Sequence, residues 1–118
     1  GADVNAKDNV GTPLIHATMN GHVEVVQVLV AAGADLNAKN IVQNTPLMYA
    51  ANTGHVELVQ VLLTAGANLH AENKQGNTPL HMAALNGPAV AQLLLTAGGN
   101  LHAENKFGNT PLHLAAIN

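Results

Sequence analysis

The chain lacks several residue types on which whole classes of protein depend. Its 118 residues include no cysteine, no serine and no arginine. The absence of cysteine excludes a disulfide scaffold and leaves the redox compartment open. Without serine or cysteine, the commonest nucleophiles of covalent catalysis are missing. All four basic residues are lysines, so the arginine-containing basic surface typical of nucleic-acid binding is missing too.

Large aromatic side chains and long apolar runs are also scarce. Aromatic residues make up 2% of the chain, namely Tyr49 and Phe107, although 47% of it is apolar. A stack of small helices needs alanine, leucine and valine rather than large rings, and these residues are abundant here. No apolar run reaches the roughly 18 residues that suggest a membrane span. The length predicts a single domain over residues 1–118.

A Thr-Pro-Leu triad recurs four times along the chain. Its threonines are Thr12, Thr45, Thr78 and Thr110, and they are separated by 33, 33 and 32 residues. The longer blocks Thr78–Asn86 and Thr110–Asn118 differ at only two positions. A fixed period of this size is typical of stacked repeat proteins, in which each unit contacts only its neighbours.

Each unit reads as two short helices followed by a long turn. Thr45 suits a helix N-cap and Pro46 the first helical position, and Gly54 suits the end of that first helix. A second helix should then run to Gly66 and bury one stripe, formed by Val56, Val59, Leu62 and Leu63. Because neither helix is long enough to be stable alone in water, each must pack on its neighbours, which predicts a solenoid.

The unit closely resembles the ankyrin repeat, whose pattern is Thr-Pro-Leu-His-x-Ala with a period of about 33 residues. The pattern is intact at Thr78–Ala83 and Thr110–Ala115, whereas Ile15 and Met48 replace its histidine. The resemblance implies an all-α ankyrin-repeat solenoid of stacked helix-turn-helix units joined by long β-turn-like loops. Complete repeats are expected at 8–39, 40–72 and 73–104, with the tail of a preceding repeat at 1–7 and a partial repeat at 105–118.

Three irregularities interrupt the repeats. The first long turn is one residue short before Thr12. The third unit has Gly87 followed by Pro88 in place of the Gly-His pair, and Pro88 can still begin a helix. The apolar segment Leu112–Ile117 has no second helix after it, which suggests a fragment of a longer array or end-to-end self-association through an uncapped C-terminal repeat.

No set of residues predicts catalysis, a cofactor or a metal ion. The seven histidines include two His-x-Glu motifs, but zinc deaminases pair that motif with cysteines. Histidines one repeat apart are expected to lie about 8–10 Å apart, too far for shared ligation. We interpret His81 and His113 as partners of turn backbone. The other repeated histidines are assigned to second-helix starts or long turns, namely His22, His55, His70 and His102. The chain is therefore predicted not to be an enzyme.

The resemblance implies a noncatalytic module that binds another protein through the concave face of the stack, inside the cell, in the cytoplasm or nucleus. Neither nucleic acid nor membrane is an expected partner. The alternative is a structural spacer in a longer array with no dedicated partner. Asn37 also fits the spacing of asparagines that are hydroxylated in this family, although we favour a role for its side chain in holding the turn.

The partner-binding residues are expected where the copies differ, in the long turns and near the ends of the first helices. Apolar residues are unusual at turn tips, so Val10, Ile41, Val42 and Phe107 are the strongest candidates, since exposed apolar area marks interaction sites. The remaining candidates are Met19, Lys39, Asn44, Asn52, Lys74, Gln75, Asn77, Leu85 and Lys106.

Overall fold

The computed structural model describes residues 4–86 and 88–117, the last three of these as backbone only. This part of the chain contains seven helices and no strand, which confirms the predicted all-α repeat stack. The helices are α1 (Pro13–Met19), α2 (Val23–Ala31), α3 (Pro46–Thr53), α4 (Val56–Thr64), α5 (Pro79–Ala84), α6 (Pro88–Thr96) and α7 (Pro111–Ile117). Gly87 and the first three residues of the predicted tail lie outside the described residues, whereas Pro88 begins a helix as predicted.

The helices form two layers. The first helices α1, α3, α5 and α7 pack side by side, and the second helices α2, α4 and α6 lie against them. The stack is elongated, with extents of 46 × 25 × 21 Å. The first helices pack more closely with one another than the second helices do. The long turns that join the units lead into the closely packed layer.

The threonine and proline of each motif begin the first helices as predicted. The Oγ1 atoms of Thr12, Thr45 and Thr78 accept hydrogen bonds from backbone N–H groups three residues on, at 3.3, 3.4 and 3.4 Å. This satisfies one of the free donors of each first turn. Gly54 caps the end of α3 with a left-handed φ of 71°, a conformation that glycine adopts without steric cost.

The apolar stripe predicted for the second helix is partly wrong. Val59 and Leu62 are fully buried in α4, but Val56 is exposed and Leu58 is buried instead. The reason is that α4 contacts three helices, α2, α3 and α6. Its buried surface is therefore wider than one stripe and covers Leu58, whereas Val56 lies in the first turn, at the edge of the packed layer.

Candidate protein-binding surface

In each long turn, one side-chain oxygen accepts hydrogen bonds from two backbone N–H groups of the same turn. The Oδ1 atom of Asn40 accepts from the N–H groups of Val42 and Asn44, at 3.2 and 3.0 Å. Asn73 and Asn105 make the same pair of bonds in the third and fourth turns. Asp8 takes this place in the first turn. The side chains at the tips are thereby held outward in fixed positions.

The second, third and fourth turns are joined to one another by two kinds of hydrogen bond. The backbone N–H of Lys74 donates to the carbonyl of Val42 at 3.1 Å, and that of Lys106 donates to Gln75 at 2.8 Å. In addition, the first asparagine of each later turn donates through Nδ2 to an Oδ1 atom of the turn before it. These bonds are Asn73 to Asn44 and Asn105 to Asn77, both 2.8 Å. We call the tips of these three turns, together with the neighbouring tip of the first turn, the turn-tip row.

A second set of asparagine bonds joins repeats nearer the second helices. Oδ1 of Asn5 accepts from the N–H of Asp35, and Oδ1 of Asn37 accepts from the N–H of Asn68, both at 2.8 Å. The Asn37 side chain thus has a structural role, but not the one that we favoured from the sequence, which was to hold its own turn. Its bond reaches the following repeat rather than staying within its own turn.

The apolar side chains predicted at the tips are exposed. The exposed fractions are 41% for Val10, 63% for Ile41, 44% for Val42 and 73% for Phe107. Met19 and Leu85, near the ends of α1 and α5, are exposed as well. Exposure of this kind makes the row available to a partner, because apolar area exposed on a surface is stabilised when another molecule covers it.

The polar members of the predicted set differ in what they contact. Lys74, Gln75 and Lys106 are exposed at the tips. Asn44 and Asn77 are half-buried acceptors of the turn-to-turn bonds, and Lys39 donates through Nζ to the carbonyl of Glu72 at 2.9 Å. The carbonyl of Asn52 accepts from Nδ2 of Asn86 in the next repeat. Asn44, Asn77, Lys39 and Asn52 hold repeats together, whatever else they contact.

Several exposed apolar side chains lie outside the turn-tip row and were not predicted from the sequence. Val25 on α2 is exposed, whereas its equivalent on α4, Leu58, is buried, and Val28 on α2 is exposed as well. A groove of about 470 Å³ also lies between α2 and α4, with Val30 in its lining. Leu112 is 52% exposed, although its equivalents in the other three motifs are at most 2% exposed. A comparison of repeats position by position predicts burial for Leu112, so its exposure depends on which helices flank it and could not be found from its own repeat.

The side chains of His81 and His113 bind backbone groups of the turns, as predicted. His81 is fully buried, its Nδ1 accepts from the N–H of Thr78, and its Nε2 donates to the carbonyl of Asn109, both at 3.0 Å. His113 accepts from Thr110 in the same way. His22 and His55 precede the second helices but make no capping bond through their side chains. Among the described residues, no three histidine or carboxylate side chains cluster as a metal site would require.

One carboxylate in the row is electrostatically stabilised. The backbone N–H of Gly11 lowers the pKa of Asp8, with His16 contributing next. An Oδ atom of Asp8 lies 3.1 Å from Nε2 of His16, and both side chains are substantially exposed. The interaction orders the first turn, because it ties the turn to a side chain of α1.

A family model for ankyrin repeats, in three copies, matches residues 1–73 and 47–118. No curated protein matches the chain in a sequence search. Across the residues that the structure describes, no helix is both long and apolar enough to span a membrane. The two matched segments together cover all 118 residues, including the paired helices and long turns described above. The chain therefore belongs to the ankyrin-repeat family.

Proposed function

We propose that the chain is a noncatalytic module that binds a partner protein through the turn-tip row and the adjoining ends of the first helices. Ankyrin repeats are generally protein–protein interaction modules and are typically noncatalytic. The observation that carries the proposal is the exposure of Val10, Ile41, Val42 and Phe107 in a row whose last three turns are joined by hydrogen bonds. A rigid row loses little conformational entropy on binding.

The position of the row supports this choice of face. It borders the layer of first helices, which is the more closely packed of the two layers. Closer packing in one layer curves a stack toward that layer, so the row is expected on the concave side. An intracellular setting, cytoplasmic or nuclear, belongs to the same proposal and has family membership as its support.

The proposal is tested by capturing partners from cell lysate with three baits and quantifying them by mass spectrometry. The baits are the unchanged chain, an Ile41→Glu/Phe107→Glu variant, and a Val28→Glu variant. Val28 is as exposed as the tip residues but lies on α2, so it controls for removal of any exposed apolar group. A protein lost with the first variant and kept with the second supports the row. Equal capture by all three baits, or no capture, would instead favour a structural spacer.

End-to-end self-association is a separate proposal that rests on Leu112. Its side chain is half exposed, whereas Leu14, Leu47 and Leu80 at the same position are buried. The side chains of residues 115–117, which share this helix, lie outside the described set. Sedimentation velocity at increasing concentration should show association that a Leu112→Glu variant removes. A purely monomeric chain would exclude this mode of assembly.

A further inference from the structure

The first and second long turns are not joined as the later turns are. The N–H groups of Lys74 and Lys106 donate to the turn before them, but the equivalent N–H, that of Ile41, makes no hydrogen bond within the described residues. An open cleft of about 200 Å³ separates the two turns instead. Its walls are Lys7, Asp8 and Asn9 on one side and Lys39, Asn40 and Ile41 on the other.

One missing residue explains the cleft. The third turn reads Asn-Lys-Gln-Gly-Asn before Thr78, whereas the first reads Asp-Asn-Val-Gly before Thr12. The first turn therefore lacks the asparagine whose equivalents, Asn44 and Asn77, accept from the following turn. Without that acceptor, Nδ2 of Asn40 donates to the hydroxyl of Tyr49 at 2.6 Å. Within the described residues, the tips of these two turns share no hydrogen bond.

The groups around the cleft are those that an extended peptide would use. The Ile41 N–H is an unpaired donor, and unpaired backbone donors at an edge are templates for adding a strand. Val10, Ile41 and Val42 supply exposed apolar area beside it. The donor and the apolar patch together favour a segment that offers a main-chain carbonyl and apolar side chains.

The charges at the cleft favour acidic side chains on that segment. Among the described residues, no carboxylate lies within ion-pair distance of Lys7 or Lys39, and the Glu72 carbonyl to which Nζ of Lys39 donates is neutral and leaves its charge uncompensated. Asp8 is already engaged by two backbone N–H groups and by His16. In the sequence, a glutamate stands two residues before each lysine of the third and fourth turns, whereas an asparagine stands two residues before Lys7 and Lys39. The cleft is therefore the more basic end of the row.

We propose that this cleft binds an extended partner segment that carries both acidic and apolar side chains. A carbonyl of the segment accepts from the Ile41 N–H, its apolar side chains cover Val10, Ile41 and Val42, and its carboxylates pair with Lys7 and Lys39. The inference rests on the proposed function and specifies where on the row the partner sits and what chemistry it presents.

The test uses the whole chain labelled with ¹⁵N and a short capped peptide of alternating leucine and aspartate. The Ile41 amide should show the largest chemical-shift change, together with slower hydrogen exchange than in the unbound protein. A matched peptide with asparagine in place of aspartate should bind roughly tenfold more weakly, because its charge-assisted bonds are lost. No response at Ile41 at millimolar peptide would overturn the proposal.

The decisive variant inserts an asparagine between Gly11 and Thr12, which gives the first turn the length of the others. The insertion should close the cleft, slow hydrogen exchange at Ile41 and remove its response to the peptide. A second variant, Ile41→Asn, copies the residue of the first turn at this position and should weaken binding roughly tenfold through lost apolar contact. It keeps the test available should the insertion fail to fold.

Val28→Asn is the matched control, since Val28 is as exposed as Ile41 but lies on α2 outside the lining of the cleft, and it should leave the Ile41 response unchanged. An undiminished Ile41 response in the insertion variant would refute the proposal. Responses confined to the Phe107 turn would refute the cleft as the site but leave the turn-tip row as a binding surface. The two ideas therefore fail in distinguishable ways.

Discussion

Gly76 lies where the third and fourth long turns are in close contact. Its φ is +76°, and a Cβ atom built on it would lie 3.0 Å from the backbone nitrogen of Lys106 and 3.2 Å from Cα of Asn105. Those neighbours are backbone atoms that hold the 2.8 Å bond from Lys106 to Gln75. Gly76→Ala therefore perturbs both the conformation of its own turn and the contact with the next turn.

The two effects have separable magnitudes. A left-handed conformation costs a residue with a Cβ about 1–2 kcal/mol, of which about 0.4–1 kcal/mol is offset because alanine restricts the unfolded chain. Gly108 has the same φ of +76°, but the Cβ that alanine would add there meets no atom within 4 Å. Gly108→Ala should thus cost about 1 kcal/mol. Gly76→Ala should cost roughly 1 kcal/mol more, since the turns must move apart.

The second long turn shows how the following turn accommodates a side chain at the position that Gly76 occupies in the third. Gln43 stands where the later turns have glycine and has a φ of 65°. The bond from the following turn, Lys74 to Val42, is 3.1 Å long rather than the 2.8 Å between Lys106 and Gln75. A Cβ at this position is therefore accommodated by a slightly wider spacing, which keeps the expected cost of Gly76→Ala moderate.

Urea unfolding of both alanine variants, followed by far-UV circular dichroism, measures the difference. Unfolding midpoints and slopes are compared with the unchanged chain, because a changed slope would show that the array no longer unfolds as one unit. Equal losses in the two variants would refute the role of the turn-to-turn contact. A neutral Gly76→Ala would refute the conformational argument as well.

Three further predictions concern single side chains. Gln43→Gly should be neutral or stabilise the fold by up to about 1 kcal/mol in the same urea assay, since relief of the left-handed strain exceeds the added chain entropy; a clear loss would contradict this. His81→Ala should cost about 2–4 kcal/mol, because it leaves buried polar groups unpaired and a cavity, and more than His113→Ala at the exposed equivalent; equal losses would contradict this. Asp8→Asn should flatten the fall in the thermal unfolding midpoint as the pH drops below about 4. Because the pKa of Asp8 is lowered in the folded chain, its carboxylate stabilises the fold above the ordinary pKa of 3.8. This stability is lost as the pH falls through the lowered pKa. An unchanged slope would refute the Asp8 assignment.

The repeat period and the ends of the first helices could be predicted because they depend on local chemistry. Thr45, Pro46 and Gly54 each act within one turn of a helix, so a single copy of the unit contains the information. The exposure of Ile41 and Phe107 was predictable for a similar reason, since a turn tip has little around it to bury a side chain.

Contacts between repeats were harder to foresee. Asn44 and Asn77 read as variable polar positions, yet each accepts a bond from a residue 28 or 29 positions away. Leu58 was missed because the burial of a second helix depends on both flanking repeats. The missing residue before Thr12 was visible in the sequence, but its effect on the Ile41 N–H depends on how two turns lie in space. Which of the candidate residues touch a partner stays a prediction.

The contacts between neighbouring repeats, here called joints, are hydrogen-bonded at different places along the stack. The joint between the first and second turns is held by the bond from Asp35 to Asn5 and, within the described residues, has no bond at the tips. The next joint is held both at the tips and through Asn37. The last is held at the tips and by the bond from Nε2 of His81 to the carbonyl of Asn109, whereas His70 replaces the asparagine that would join it nearer the second helices. When the stack is bent, the repeats at each joint should therefore rotate about a different axis. Its elastic opening should concentrate at the first two turns, which would make the width of that gap sensitive to mechanical load.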